Sequence, residues 1–355
     1  MDLARPVREG PRVASGAATL IAALVAGLLT GCIVGRPAST PIPPTLTAAP
    51  SRPSATPTVP PPSSTPQPPT PIPSDTPTAT LAPGEVPALG RVFFLIFENR
   101  EFGQVIGNST APNFNGLAAQ GALLTEHYAI THPSFPNYLA LVAGDTFGIT
   151  RNCEDCYQDA PILVDQLEAS GRTWRAYLEG MPEPCFDYTV HPYAKRHNPF
   201  MYFESVRSDP DRCLSSVVPF DQFGADLNAG SLPDFVWITP DICNSAHDCP
   251  LATADAWLGT VVGSIRGSPA YGPDSLIIIT WDEGAGEAGC CELAHGGRVA
   301  TVLLSPMIQP GVEDPTPYTH YSILAMLEKG WGLELLGLAG DPRTTPVSEV
   351  WRLSP

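Results

Sequence analysis

Four short runs after residue 90 are almost wholly apolar and show no polar alternation: RVFFLIF (91–97), DFVWITP (234–240), SLIIITW (275–281) and VATVLLSP (299–306). Each is rich in β-branched or aromatic residues, the composition of a strand buried on both faces of a sheet. GALLTEHYAI (121–130) and TWRAYLEG (173–180) read as further extended segments. Between these lie stretches with helical spacing: NFNGLAAQ (113–120), YLALVA (138–143), PILVDQLEASG (161–171), ADAWLGTVVGSIRGS (254–268) and YSILAMLEKGWGL (321–333). Several close on glycine, as helix ends commonly do. Strands alternating with helices predict an α/β fold, with a mostly parallel central sheet and helices on both faces. No internal repeat is visible.

Two of the apolar runs break off at acidic pairs. The first is followed by Glu98-Asn99 and the third by Asp282-Glu283. Groups at the carboxyl ends of such strands lie where open α/β sheets bind ligands. Four oxygen-bearing side chains, distant in sequence, could meet there around a hard cation such as Ca²⁺, Mg²⁺ or Mn²⁺. An enzyme is the leading reading.

The amino-terminal region bears on where the chain works. Arg5, Arg8 and Arg12 precede the apolar GAATLIAALVAGLL (16–29), so residues 1–31 read as a signal peptide. Leu29-Thr30-Gly31-Cys32 resembles the lipobox of bacterial lipoproteins, which implies cleavage before Cys32 and lipid attachment to its sulfur. An uncleaved anchor helix or ordinary secretion are the alternatives; all three put the remainder outside the cytoplasm. The expected location is therefore extracytoplasmic, with the membrane as a partner through a lipid at Cys32. Residues 32–86 add the lipidated cysteine and a Pro/Thr/Ser-rich linker, 17 of the 42 prolines falling in 37–86. Such a segment buries too little surface to offset its ordering entropy and favours an extended stalk. The folded domain is expected over 87–355.

Composition excludes some partners and adds a redox clue. Residues 1–86 carry four acidic and five basic groups, leaving 32 acidic against 14 basic in the domain. That balance argues against nucleic acid or an anionic membrane surface as the main electrostatic partner. Setting Cys32 aside leaves eight cysteines, an even set that suits disulfides in an exported domain. Cys153 with Cys156 and Cys243 with Cys249 would close local loops, and Cys185 with Cys213 a longer one. Cys290 and Cys291 could pair with different partners or with each other. Gly284-Ala285-Gly286-Glu287-Ala288-Gly289 satisfies GxGxxG in letters, but the two cysteines follow it in place of a helix. It reads as a flap beside the acidic pair, not a dinucleotide site.

A serine supplies the second constellation. In Thr131-His132-Pro133-Ser134-Phe135-Pro136-Asn137-Tyr138 two prolines bracket Ser134 just before a helix. Unpaired N–H groups at a helix start favour an anion there, and a nearby cation would make the hydroxyl a nucleophile without a histidine base. An ordinary helix-capping serine fits the same spacing.

FEN (97–99), HPSFPNY (132–138), NPFMYF (198–203), PDICNSAHD (240–248) and TWDEG (280–284) together resemble the phosphoesterase family that includes bacterial phospholipases C and acid phosphatases. That family belongs to the alkaline-phosphatase-like superfamily, and the likeness runs in order over nearly all of 90–338. It implies that Glu98, Asn99, Ser134, Asp282 and Glu283 ligate a divalent metal ion. It also implies that Ser134 is the nucleophile, transiently phosphorylated, and that His247 is the active-site histidine assisting the leaving group. Some relatives carry two aspartates where Asp282-Glu283 stand. The sulfatase signature Cys/Ser-x-Pro-x-Arg is broken by Asn137 and Tyr138, which disfavours sulfate transfer. His197, His295, Asn137 and Asp248 are candidates for substrate contact; if His295 or His247 ligates, Zn²⁺ or Fe joins the possible metals. His132 is expected to organise the serine loop, and His127, His191 and His320 to be structural or at the surface.

The expected function is thus a metal-dependent phosphoric ester hydrolase, an acid phosphatase acting on phosphomonoesters through phosphoserine. A phospholipase C-type phosphodiesterase is the alternative within the family. A non-catalytic surface binding protein on the same fold is the alternative outside it.

Overall fold

The computed structural model describes residues 81–351 apart from Pro83. The expected signal peptide, Cys32 and nearly all of the linker lie outside the described residues. Among those described, no helix is long and apolar enough to cross a membrane.

Nine strands form one sheet: β1 Val92–Phe97, β2 Ala122–Tyr128, β3 Trp174–Leu178, β4 Val217–Pro219, β5 Phe235–Thr239, β6 Leu276–Trp281, β7 Arg298–Leu304, β8 Val312–Asp314 and β9 Tyr318–Thr319. Their order is β4-β3-β5-β1-β6-β7-β2-β8, with β9 also pairing β2. Every pairing is parallel except those that β7 makes with β6 and β2. β7 follows β6 through a loop with no crossover helix, and a direct return of that kind runs antiparallel. The mostly parallel sheet expected from the sequence is therefore present, with one reversed strand.

The absence of alternation in the central strands is explained by burial on both faces. All six residues of β1 and all six of β6 are buried. Val92, Phe94 and Ile96 join one core with Trp237 and Ile278, under the helices Ser134–Ala143, Leu163–Ala169 and His320–Trp331. Phe93, Leu95 and Phe97 join a second core with Ile238, Ile279 and Trp281, under the helices Pro112–Ala118, Asp221–Ala229 and Leu251–Arg266. Phe94 stacks on Trp237 at 4.6 Å between ring centroids. A ring pair of this kind adds about 0.5–1.5 kcal/mol beyond its burial. Leu81 and Val86, at the end of the expected linker, pack against the first core.

The helix Ser134–Ala143 stops at Gly144, whose φ of 71° closes the turn; a Cβ there would lie 2.2 Å from the carbonyl oxygen of Leu336. The helix expected at 254–268 begins three residues earlier, at Leu251, directly after Pro250. The stretch between 180 and 233 holds more structure than expected, with β4 and the helices Pro210–Ser216 and Asp221–Ala229. All eight domain cysteines pair: Cys153–Cys156, Cys185–Cys213, Cys243–Cys249 and the adjacent Cys290–Cys291.

One buried acid makes stability pH-dependent. Glu328, on the helix His320–Trp331, accepts from Leu336 N at 3.0 Å with Oε1, while its Oε2 has no partner. Burial pushes its pKa up to about 8, against the opposing hydrogen bond from Leu336. An exposed glutamate titrates near about 4.3, so in the window between the two values the folded protein keeps a proton that the unfolded chain has lost. Stability then falls as pH rises through that window. Glu328→Gln is expected to raise Tm at about pH 8.5 and leave it unchanged at about pH 4.5, read by calorimetry. The same Tm difference at both pH values would contradict this assignment.

Candidate active site

β1 and β6 are parallel neighbours, and their register sets Phe97 opposite Trp281. The next residues, Glu98 and Asp282, therefore emerge side by side at the carboxyl edge of the sheet. Both are buried, as is Glu283. Asn99 adopts φ 52°, which turns the chain so that its backbone N–H donates to Asp282 Oδ1 at 2.9 Å. Its side chain is exposed. Glu283 N–H donates to the same Asp282 oxygen at 2.6 Å.

Ser134 reaches this acidic cluster from the start of its helix. Its buried Oγ donates to Glu98 Oε1 at 2.7 Å and lies 3.0 Å from Glu283 Oε1. The loop before it is tied by Asn137, whose Oδ1 accepts from Ile130 N (2.8 Å) and Thr131 N (3.1 Å). The Asn137 amide donates to Thr131 O (2.7 Å) and Pro133 O (3.3 Å). These four bonds use its whole hydrogen-bonding capacity, so Asn137 builds the serine loop and has nothing left for a substrate. His132, in the same loop, bonds outward to the segment after β6: Nδ1 pairs with Glu283 Oε2 and Nε2 with Gly286 O at 3.0 Å. Burial opposes its charge, but the Glu283 carboxylate and the Gly286 carbonyl raise its pKa.

His197 approaches from the far side, its Nε2 2.9 Å from Glu98 Oε2 and its ring stacked on Tyr138 at 5.3 Å. Glu98 Oε2, His197 Nε2 and Asp282 Oδ2 are buried without a well-formed hydrogen bond. One ligand atom from each of these three residues lies within 4.8 Å of the others. Burial disfavours the charge on Glu98, yet His197, Asp282 and Ser134 hold its pKa well below the usual carboxylate range. Asp282 goes the other way: burial and the neighbouring charge of Glu98 push it well above that range. Burial likewise raises Glu283. Three crowded carboxylates, two of them with an unpaired buried oxygen, must hold protons or a cation. Carboxylate oxygens, a serine oxygen and one imidazole suit a divalent ion, so the residues present fit the metal that the sequence suggested. His197, expected only as a substrate contact, belongs to this donor set.

His247 stands exposed at the rim, with Nε2 4.0 Å from Glu98 Oε1. Its Nδ1 bonds Asp248 Oδ1 at 2.6 Å. Asp248 therefore orients His247, an arrangement that leaves Nε2 facing the cluster. His295 is exposed, and the structure does not bring its ring to Glu98, Ser134 or Asp282; only its backbone takes part, donating to Ile130 O at 2.9 Å. The loop after Glu283 is held down by Glu101, whose carboxylate accepts from Ala285 N (3.1 Å), Gly286 N (3.0 Å) and Arg298 N (3.0 Å).

Residues 107–334 match the model of the phosphoesterase family. The chain belongs to that family. It is 33% identical over 277 residues to a phosphatidylinositol-3-phosphatase of Mycobacterium tuberculosis, covering 78% of this chain and 87% of that protein. It is 32% identical over 273 residues to an acid phosphatase of Aspergillus fumigatus, covering 74% of this chain and 59% of the fungal one. The phosphate-repressible acid phosphatase of Penicillium chrysogenum is 35% identical, over 63% of this chain and 55% of that protein. The chain thus spans little more than half the length of these fungal relatives. A solved structure from Vibrio parahaemolyticus, described as a protein in the alkaline phosphatase superfamily, aligns with TM-score 0.51 at 15% identity, over 73% of this chain and 72% of that one, a likeness of fold. This phosphoesterase is a hydrolase acting on phosphoric ester bonds.

A divalent cation bound at the cluster should displace protons and stabilise the fold by mass action. At 100 times its Kd one ion contributes about 2.7 kcal/mol, a Tm rise of several degrees for a domain of this size. Adding Mg²⁺, Ca²⁺, Mn²⁺ or Zn²⁺ in turn to chelator-treated protein is expected to give that rise with at least one ion, and Asp282→Asn to abolish it. An equal rise in Asp282→Asn would put the metal elsewhere.

Proposed function

We propose that this phosphoesterase is an acid phosphatase acting on phosphomonoesters, with Ser134 as nucleophile. The observation that carries the reading is the buried Ser134 hydroxyl, 2.7 Å from Glu98 and 3.0 Å from Glu283. The names of its relatives, acid phosphatase and phosphatidylinositol-3-phosphatase, support the phosphatase reading. The metal ligands in this reading are Glu98, Asn99, Ser134, Asp282 and Glu283, joined by His197. A divalent cation held there supplies Lewis acidity, lowering the pKa of the serine hydroxyl and offsetting charge on the phosphoryl oxygens.

Ser134 Oγ gives its proton to the neighbouring carboxylates and forms a bond to phosphorus. The bond from phosphorus to the ester oxygen breaks on the opposite side. His247, with Nδ1 donating to Asp248, delivers a proton from Nε2 to the leaving oxygen, which departs as the alcohol. Water then attacks the phosphoserine, giving a proton back to His247; inorganic phosphate leaves and Ser134 regains its hydroxyl. The burial of Ser134 and the carboxylates keeps bulk water from the reacting oxygen during the first transfer, and positioning of this kind dominates phosphoryl transfer.

The signal peptide and the lipid at Cys32 form part of the same proposal. Four disulfides in the described domain support an oxidising, extracytoplasmic setting.

Hydrolysis of p-nitrophenyl phosphate is expected to exceed that of p-nitrophenyl phosphorylcholine. It should be lost on chelation, restored by metal, and reduced by at least about 10³-fold in Ser134→Ala. A preference for the diester would reassign the chain to phosphodiester substrates. Full activity in Ser134→Ala would remove the covalent mechanism.

A further inference from the structure

His247 is carried on a loop, and the loop is held in place by a residue outside the metal cluster. Glu179 follows β3, and its backbone N–H donates to Thr239 O at 3.0 Å, at the end of β5. Its half-buried carboxylate then reaches across to the segment 240–250. Oε2 accepts from Asp241 N at 3.0 Å and from Asn244 Nδ2 at 3.0 Å; Oε1 accepts from the same amide at 3.0 Å and from Trp257 Nε1 at 3.1 Å. Donors from the loop and from the helix Leu251–Arg266 thus converge on one anion. Only a carboxylate can meet them, because an amide of the same shape would turn an NH₂ toward N–H donors.

The loop itself is wound tightly. Asp241 Oδ1 accepts from Cys243 N (2.9 Å) and Asn244 N (2.8 Å), Ser245 N donates to Asp241 O (2.8 Å), and Cys243–Cys249 closes the ring. Its far side joins the active centre, where Glu98 N donates to Ser245 O at 3.1 Å and Arg100 to Ala246 O at 2.7 Å. Ala246, directly before His247, has φ 71°. A non-glycine residue held there costs on the order of 1 kcal/mol and persists only where its surroundings over-determine it. Glu179 on one side and Glu98 with Arg100 on the other provide that constraint.

We infer that Glu179 is a positioning residue for His247: its carboxylate fixes the 240–250 loop so that His247 Nε2 meets the leaving oxygen of the substrate. This rests on His247 acting as the proton donor in the proposed function. It makes the reaction depend on Glu179 according to the leaving group. An alkoxide needs a proton as it departs, whereas p-nitrophenolate leaves without one.

The test compares kcat/KM for glycerol 2-phosphate and p-nitrophenyl phosphate in the metal-loaded protein and in Glu179→Gln, Trp257→Phe and His247→Ala. His247→Ala is expected to lose on the order of 10²-fold on glycerol 2-phosphate and far less on p-nitrophenyl phosphate. Glu179→Gln should show the same selectivity, about tenfold or more against less than about threefold, with metal-induced Tm gain retained. Trp257→Phe, which removes one donor and keeps a ring, should show a smaller loss of the same kind and decides the matter if Glu179→Gln does not fold. A selective His247→Ala beside an unselective or fully active Glu179→Gln would overturn the positioning role and spare the mechanism. Equal losses on both substrates in His247→Ala would overturn the proton-donor role, and this inference with it.

Discussion

The in-register pairing of β1 with β6 is the constraint from which the site follows. Two strands buried on both faces end together, and the residues that follow them are Glu98, Asp282 and Glu283. Three carboxylates are thereby confined where water cannot screen them, at a cost the fold can bear only by protonation or by a cation. The opposed pKa shifts of Glu98 and Asp282 express that conflict. In the proposed function a divalent ion would resolve it and turn the same crowding into a means of stabilising phosphoryl charge.

Each remaining part of the site is wired to this cluster by a separate loop. Asn137 folds the serine loop, so that Ser134 arrives at Glu98 and Glu283 without help from a histidine base. Glu101 and His132 hold the loop between β6 and β7 from two sides. Glu179 and the Cys243–Cys249 bridge shape the segment carrying His247. Beneath them, His320 Nε2 bonds the backbone oxygen of Asp282 at 2.6 Å and anchors the end of β6 from the neighbouring helix. In the proposed function rigid strand ends would supply the metal ligands and braced loops the groups that meet substrate, the usual division of labour in α/β enzymes.

Much of this was legible in the sequence because strand burial and acidic strand ends leave local marks. The unalternating runs at 91–97 and 275–281 gave β1 and β6, and the pairs beyond them gave the carboxylate cluster. The proline-bracketed serine was likewise visible. The reversed direction of β7 was not, since an apolar run carries no sign of its polarity; the missing helix between β6 and β7 was the available clue. β4 and the helices at 210–216 and 221–229 escaped because they are short and partly exposed, with weak periodicity. Asn137 and Asp248 lie beside the reacting groups in sequence, yet one closes its own loop and the other orients His247. Proximity along the chain says nothing about which way an amide or carboxylate turns. His197 illustrates the converse: its place beside Glu98 depends on a long loop folding back, a tertiary fact that its KRHNPF setting does not encode.

In the proposed mechanism Ser134 takes the phosphoryl group. Acid quenching of the metal-loaded protein during turnover of a phosphomonoester, followed by peptide mass spectrometry, tests it most directly. A phosphoserine mechanism predicts one phosphate per chain, on Ser134, appearing before steady state and absent in Ser134→Ala. A quenched enzyme that turns over substrate but carries no phosphate, or carries it on another residue, would contradict it.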